Sequence, residues 1–127
     1  LTFTLLPVLP LLLIADELTP SVEFNKEKEI FRIEGKSLLD NPTPVFTPVK
    51  AWFQNYAKAP NKSTTLIIRF EYFNIATSRE LLDLFKILEP LPASKIIWQF
   101  LEDDEDMEEA GQELEALVSI PFEFQPY

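Results

Sequence analysis

The chain is 127 residues long, 46% apolar and 13% aromatic, enough for one domain with a real core and unlike a disordered segment. It has no cysteine and no histidine, which removes disulfides, thiolate sites, thiol nucleophiles and imidazole chemistry together; its two glycines leave no phosphate-cradling loop. The net charge of −10 is segregated: all eleven bases and eleven acids lie at or before Lys95, and ten acids with no base follow it. A neutral body with an acidic flank, centred on Glu102-Asp103-Asp104-Glu105-Asp106, is repelled by nucleic acid and by anionic membrane. It is complementary to a protein surface carrying basic residues.

Leu1 to Ile14 is strongly apolar, but Pro7 and Pro10 interrupt it and it is too short to span a bilayer. It lacks the basic start and small-residue cleavage site of a signal peptide. We read residues 1–10 as an apolar extension and Leu11–Ile14 as a buried first strand, opening a single domain over 11–127.

Val22–Phe24 and the alternating Glu29–Glu34 form a hairpin around the polar Asn25–Lys28 turn. Val45, Val49, Trp52, Phe53 and Tyr56 then recur with helical spacing, which requires Pro48 to lie in the helix's first turn and Pro60-Asn61 to end it. Thr64–Phe73 is rich in β-branched and aromatic residues and reads as a central strand, with Arg69 and Glu71 on one face and able to pair. Thr77 with Glu80 has capping-box spacing, so a second helix is expected from Thr77 to Pro90. Lys95–Leu101 is a further strand, parallel to the central one through that helix. A helix over Asp106–Leu117 and a strand over Ile120–Gln125 complete the order β-β-β-α-β-α-β-α-β: an α/β fold, a mixed sheet with about three helices packed on it.

Little here carries reaction chemistry. Asp104, Asp106 and Glu108 alternate as calcium ligands do, but the turn position that needs glycine is Glu109, so solvated acids at a helix start are the better reading and no metal site is assigned. Glu71 and Asp83 have nothing in the sequence to bring them together as a catalytic pair, and no cofactor is implied. Asn74–Glu80, with Thr77 and Ser78 at a helix start beyond a central strand and Arg79 beside them, is where a phosphate would be favoured.

Several stretches, in order, resemble the SiaC family of bacterial regulatory phosphoproteins from about Leu12 to Tyr127. They are Thr19–Val22, Ile33–Ser37 with Asn41-Pro42, Phe70–Asn74, Glu102–Met107 with Glu109-Ala110-Gly111, and Ile120–Phe124. The resemblance implies an anti-sigma-factor-antagonist (STAS-type) fold, a cytoplasmic location and a partner-switching function without catalysis of its own. It further implies a Ser/Thr kinase, a phosphatase and a diguanylate cyclase as partners, engaged through Asn74, Ile75, Ala76, Thr77, Ser78 and Arg79. Family members commonly read Asn-Thr-Ser-Ser after the central strand, the first Thr being the phospho-acceptor. That position is Ile75 here, which cannot be phosphorylated. Either the acceptor has moved to Thr77, the preferred candidate, or Ser78, or this chain is a constitutive binder. The rival class is a carboxylate metal-binding domain.

Overall fold

The computed structural model describes residues 7–127, so most of the apolar extension, residues 1–6, lies outside the described residues. Among the described residues, six strands form one sheet in chain order: β1 (Leu11–Leu13), β2 (Ser21–Asn25), β3 (Ile30–Ser37), β4 (Thr64–Phe73), β5 (Ser94–Phe100) and β6 (Phe122–Pro126). The first three strands are antiparallel neighbours; β3 to β6 run parallel. Each parallel step is made by one helix: α1 (Thr43–Tyr56), α2 (Ile75–Leu88) and α3 (Glu105–Glu115). This is the expected α/β architecture.

Alternation along the strands decides which face the helices cover. Phe24, Phe31, Ile33, Leu66, Ile68, Ile96 and Trp98 are buried on one face. Phe53 of α1 packs on Phe24 and Phe31, Phe85 of α2 meets Phe122 edge-on, and the Trp98 indole N–H donates to the Met107 carbonyl of α3. All three helices therefore share one face of the sheet. The opposite face is polar-rich, with Arg69 Nε donating to Gln99 and Gln99 to Gln125 across three strands.

Four expectations need correction. The first strand is an edge strand, not a buried one: Leu12 is 68% exposed and Ile14, beyond its end, 86%. Only alternate side chains of an edge strand can reach the core, and Leu11 and Leu13 do so. Pro48 lies inside α1, which starts at Thr43; the ring is exposed, and the missing N–H costs one bond to the Pro44 carbonyl near the helix start. Arg69 and Glu71 do not pair. The Arg69 guanidinium stacks on the Tyr127 ring at 4.0 Å, whereas Glu71 lies 3.8 Å from Lys36. Finally, α2 is capped by Asn74 and not by Thr77.

Candidate functional site

In a sheet of this order, side chains beyond the carboxyl ends of parallel strands are free of the sheet's own packing. Here that end is shaped by a β-bulge. Gly35 pairs with Phe70 but Lys36 pairs with Tyr72, leaving Glu71 as an extra residue in β4. Gly35 has φ +112°, a conformation that side-chain-bearing residues rarely adopt. The insertion breaks the alternation of β4. Phe70 and Phe73 both turn inward, their rings 5.3 Å apart, and Phe73 meets Trp98 edge-on. Glu71 and Tyr72 are left outside, Tyr72 66% exposed.

The chain then enters α2 through a tightly bonded turn. Asn74 Oδ1 accepts from the Thr77 amide (2.9 Å) and hydroxyl (2.8 Å), while its Nδ2 donates to the Leu39 carbonyl (2.8 Å). The Asn74 amide reaches the Ser37 carbonyl at 3.2 Å. One side chain thus caps α2 and ties it to the loop after β3, satisfying donors that a helix start otherwise leaves open. Ile75, the first residue of α2, is held on the outside, 76% exposed.

Thr77 faces the other way. It is 0% exposed, and its hydroxyl meets Ser37 Oγ at 2.7 Å as well as Asn74 Oδ1. With Ser37 donating and Thr77 donating onward to Asn74, every hydroxyl in the set is used. The expected capping box is absent because α2 starts at Ile75, which puts Thr77 inside its first turn; Glu80 lies 2.7 Å from Lys50 and accepts from the Thr43 hydroxyl. Ser78 is half-buried, its hydroxyl 3.4 Å from the Asn74 carbonyl, and Arg79 is exposed. Of the residues singled out from the sequence, Ile75 and Arg79 are exposed, Asn74, Ala76 and Ser78 are half-buried, and Thr77 is enclosed.

Beside this turn stands the acidic start of α3. Asp104 caps it, accepting from the Met107 amide at 3.1 Å, and Glu105, Asp106 and Glu108 fill the first turn, where the helix dipole favours negative charge. Among the described residues no three carboxylates converge as a metal site requires. Glu71 and Asp83 are not a pair: Glu71 lies beside Lys36, and Asp83 lies 3.9 Å from Lys50, which it shares with Glu80. Among the described residues no helix is long and apolar enough to cross a membrane.

The sequence matches the SiaC family of regulatory phosphoproteins over residues 13–127. The chain belongs to that family. Three solved structures share its fold. Apo-SiaC from Pseudomonas aeruginosa is 20% identical, with a TM-score of 0.78 over 91% of this chain and 98% of that one. A second SiaC structure from Pseudomonas aeruginosa is 19% identical, with a TM-score of 0.81 over 93% and 98%. A chain in the crystal structure of the diguanylate cyclase SiaD in complex with its activator SiaC, from the same organism, is 20% identical, with a TM-score of 0.84 over 92% and 99%. No curated protein matches this chain.

Besides the burial of Thr77, two features of this site were missed in the sequence. The role of Asn74 as the cap had a signal, since Asn is among the best N-cap residues and sits three before Thr77. The exposure of Tyr72 had none, because simple alternation from Phe70 puts it on the buried side.

Proposed function

We propose that this member of the SiaC family is a non-catalytic, cytoplasmic regulator that binds and activates a diguanylate cyclase through the carboxyl end of its sheet. The observation that carries the reading is the pair Tyr72 and Ile75: two large apolar side chains exposed on either side of a rigid, fully bonded Asn74 turn. A preorganised apolar contact loses little entropy on binding, which favours a docking role. The SiaC–SiaD complex supports the choice of partner.

Control by a Ser/Thr kinase and a phosphatase belongs to the same reading. Of the two hydroxyls proposed as acceptors, Ser78 has the easier access, because Thr77 must leave its enclosure before a kinase can reach it. Phosphate on Ser78 adds about −1.5 to −2 charges. Asp104 and Asp106 share its hollow, so repulsion and the desolvation of a dianion both oppose docking. Reversing a bound population from 99:1 to 1:99 takes roughly 5.5 kcal/mol, within reach of a buried dianion and beyond one lost surface ion pair.

One observation favours a second reading, a constitutive binder: the most exposed position of the turn, Ile75, has no hydroxyl. The test has two arms. Cyclic di-GMP formation by the source organism's diguanylate cyclase is measured with and without the chain, and an unchanged rate together with no complex overturns the function. Intact-mass spectrometry after incubation with the cognate kinase separates the variants. Phosphate on Ser78 supports the switch as drawn, phosphate on Thr77 moves it to a turn that opens, and none leaves the constitutive binder.

A further inference from the structure

Two hollows meet at Tyr72. The larger, about 670 Å³, reaches over the uncovered face of the sheet to Glu34, Arg69, Leu101 and Tyr127. The smaller, about 420 Å³, lies between the starts of α2 and α3 and is lined by Ile75, Ser78, Asp106 and Met107. Glu71, Tyr72 and Asp104 belong to both, so they form one groove with Tyr72 as its saddle. Its apolar contacts are side chains that remain exposed: Tyr72, Ile75 and Leu101.

The charge along the groove is one-sided. Glu34 and Asp104 lie in the larger hollow, Asp104 and Asp106 in the smaller, and Glu71 at the junction. Among the described residues that line it, the one cation is Arg69, already stacked on Tyr127 and bonded to Gln99. Lys36 offsets Glu71 at 3.8 Å and Arg32 offsets Glu34 at 3.6 Å, both at the surface, so among the described residues the groove's acids left without an ion-pair partner are Asp104 and Asp106. An anionic occupant such as a nucleotide meets repulsion along this groove, and so does the same acidic end of a second copy.

We infer that the groove seats a peptide segment of the partner that carries aliphatic or aromatic anchors flanked by lysine or arginine. The anchors straddle Tyr72 and pack on Ile75 and Leu101, while the basic flanks meet Asp104 and Asp106. This deepens the docking reading above and rests on it for the site, but it fixes the partner's chemistry independently of which enzyme the partner is.

The test uses the full chain, isotope-labelled for NMR, titrated with a synthetic amphipathic Leu/Lys helix and with its Leu/Glu counterpart. The Leu/Lys peptide is expected to shift Tyr72, Ile75, Ser78 and Asp106 resonances and to bind more weakly as salt rises. Tyr72→Ala or Ile75→Asp should weaken it by roughly tenfold or more, as loss of a central apolar anchor does. Asp106→Lys should weaken it several-fold, whereas Glu27→Lys, the same charge change in the β2–β3 turn, should not. All four substitutions fall on residues that reach the surface, so the variants are expected to fold. Equal binding of the Leu/Glu peptide, shifts elsewhere, or Tyr72→Ala, Ile75→Asp and Asp106→Lys chains that bind as the native chain does would each overturn the inference. A cyclase that binds and is activated but ignores Tyr72→Ala removes this inference and leaves the cyclase as partner, engaged through another surface. Absence of cyclase binding with the peptide mapped to the groove does the reverse.

Discussion

Ser37 Oγ and Thr77 Oγ1 lie 2.7 Å apart inside the protein, joining the last residue of β3 to the first turn of α2 across forty positions of sequence. The contact ties the Asn74 turn to the core. It also spends the Thr77 hydroxyl on structure, which is why the exposed chemistry of the turn falls to its neighbours.

Thr77→Val tests that contact. Valine keeps the shape and removes the hydroxyl, leaving the buried Ser37 hydroxyl without this partner and Asn74 Oδ1 with one donor fewer. Loss of about 1–3 kcal/mol is expected from a buried polar group left unsatisfied. Adding Ser37→Ala should cost less than the sum of the single changes, because it removes the stranded group. Urea unfolding of the four proteins of the cycle measures the coupling. Strict additivity would show that the two hydroxyls do not depend on each other.

Asp16 supplies the pH dependence. Backbone N–H donation from Leu18 is the main cause holding its carboxyl below the ordinary value of 3.8, with the Thr19 hydroxyl and amide adding to it. A carboxylate depressed in the folded state stabilises above its unfolded pKa, and that contribution fades as pH falls through the folded value. The stability difference between the native chain and Asp16→Asn should therefore be constant above about pH 5 and shrink below about pH 4. Chemical denaturation at a series of pH values reads it directly. A difference that does not decline as the carboxyl is protonated in acid would mean that the substitution removes something other than charge.

Millimolar calcium or magnesium should leave the melting temperature unchanged. A native-state ligand raises Tm in proportion to the logarithm of its excess over Kd, so a site of useful affinity would show. The acids of residues 102–106 do not make one: Asp104 is committed to capping α3 and Asp106 lies exposed in the helix's first turn. A rise that Asp104→Ala or Asp106→Ala abolishes would restore the metal-binding class.

How far the sequence could be read depended on whether local chemistry decided the outcome. The Phe24–Phe31 hairpin, the Thr64–Phe73 strand and its parallel neighbour were legible because alternation, β-branching and a single crossover helix agree. The acidic start of α3 was legible for the same reason. The orientation of Tyr72 was not, since it depends on a one-residue slip between β3 and β4 that only the Gly35 backbone permits. Nor was the burial of Thr77: its partner Ser37 is distant in sequence, and two cap candidates three residues apart obey the same local rule. A loop-to-helix turn after β4 was legible, but where the helix starts and which of its side chains faces solvent are tertiary properties.

Gly111 sets the last test, on the wall behind the groove. A Cβ built there would lie 2.5 Å from Trp98 Nε1 and 2.8 Å from Phe124 Cε1, closer than real atoms approach. The glycine therefore lets α3 lie directly on β5 and β6, and the same approach allows the indole N–H to reach the Met107 carbonyl at 3.0 Å. Gly111→Ala gains helix propensity of up to about 1 kcal/mol. Against that stands overpacking in a filled core, typically about 1–3 kcal/mol, with the indole bond strained as well. The clash should prevail, giving a lower urea midpoint and an altered Trp98 indole N–H resonance. Gln112→Ala, an exposed change one residue along the same helix, should move neither. A Gly111→Ala chain as stable as the native one, with Trp98 undisturbed, would show that α3 is free to lift from the sheet. The groove between α2 and α3 would then be an adjustable cleft, and its width would have to be measured in the complex.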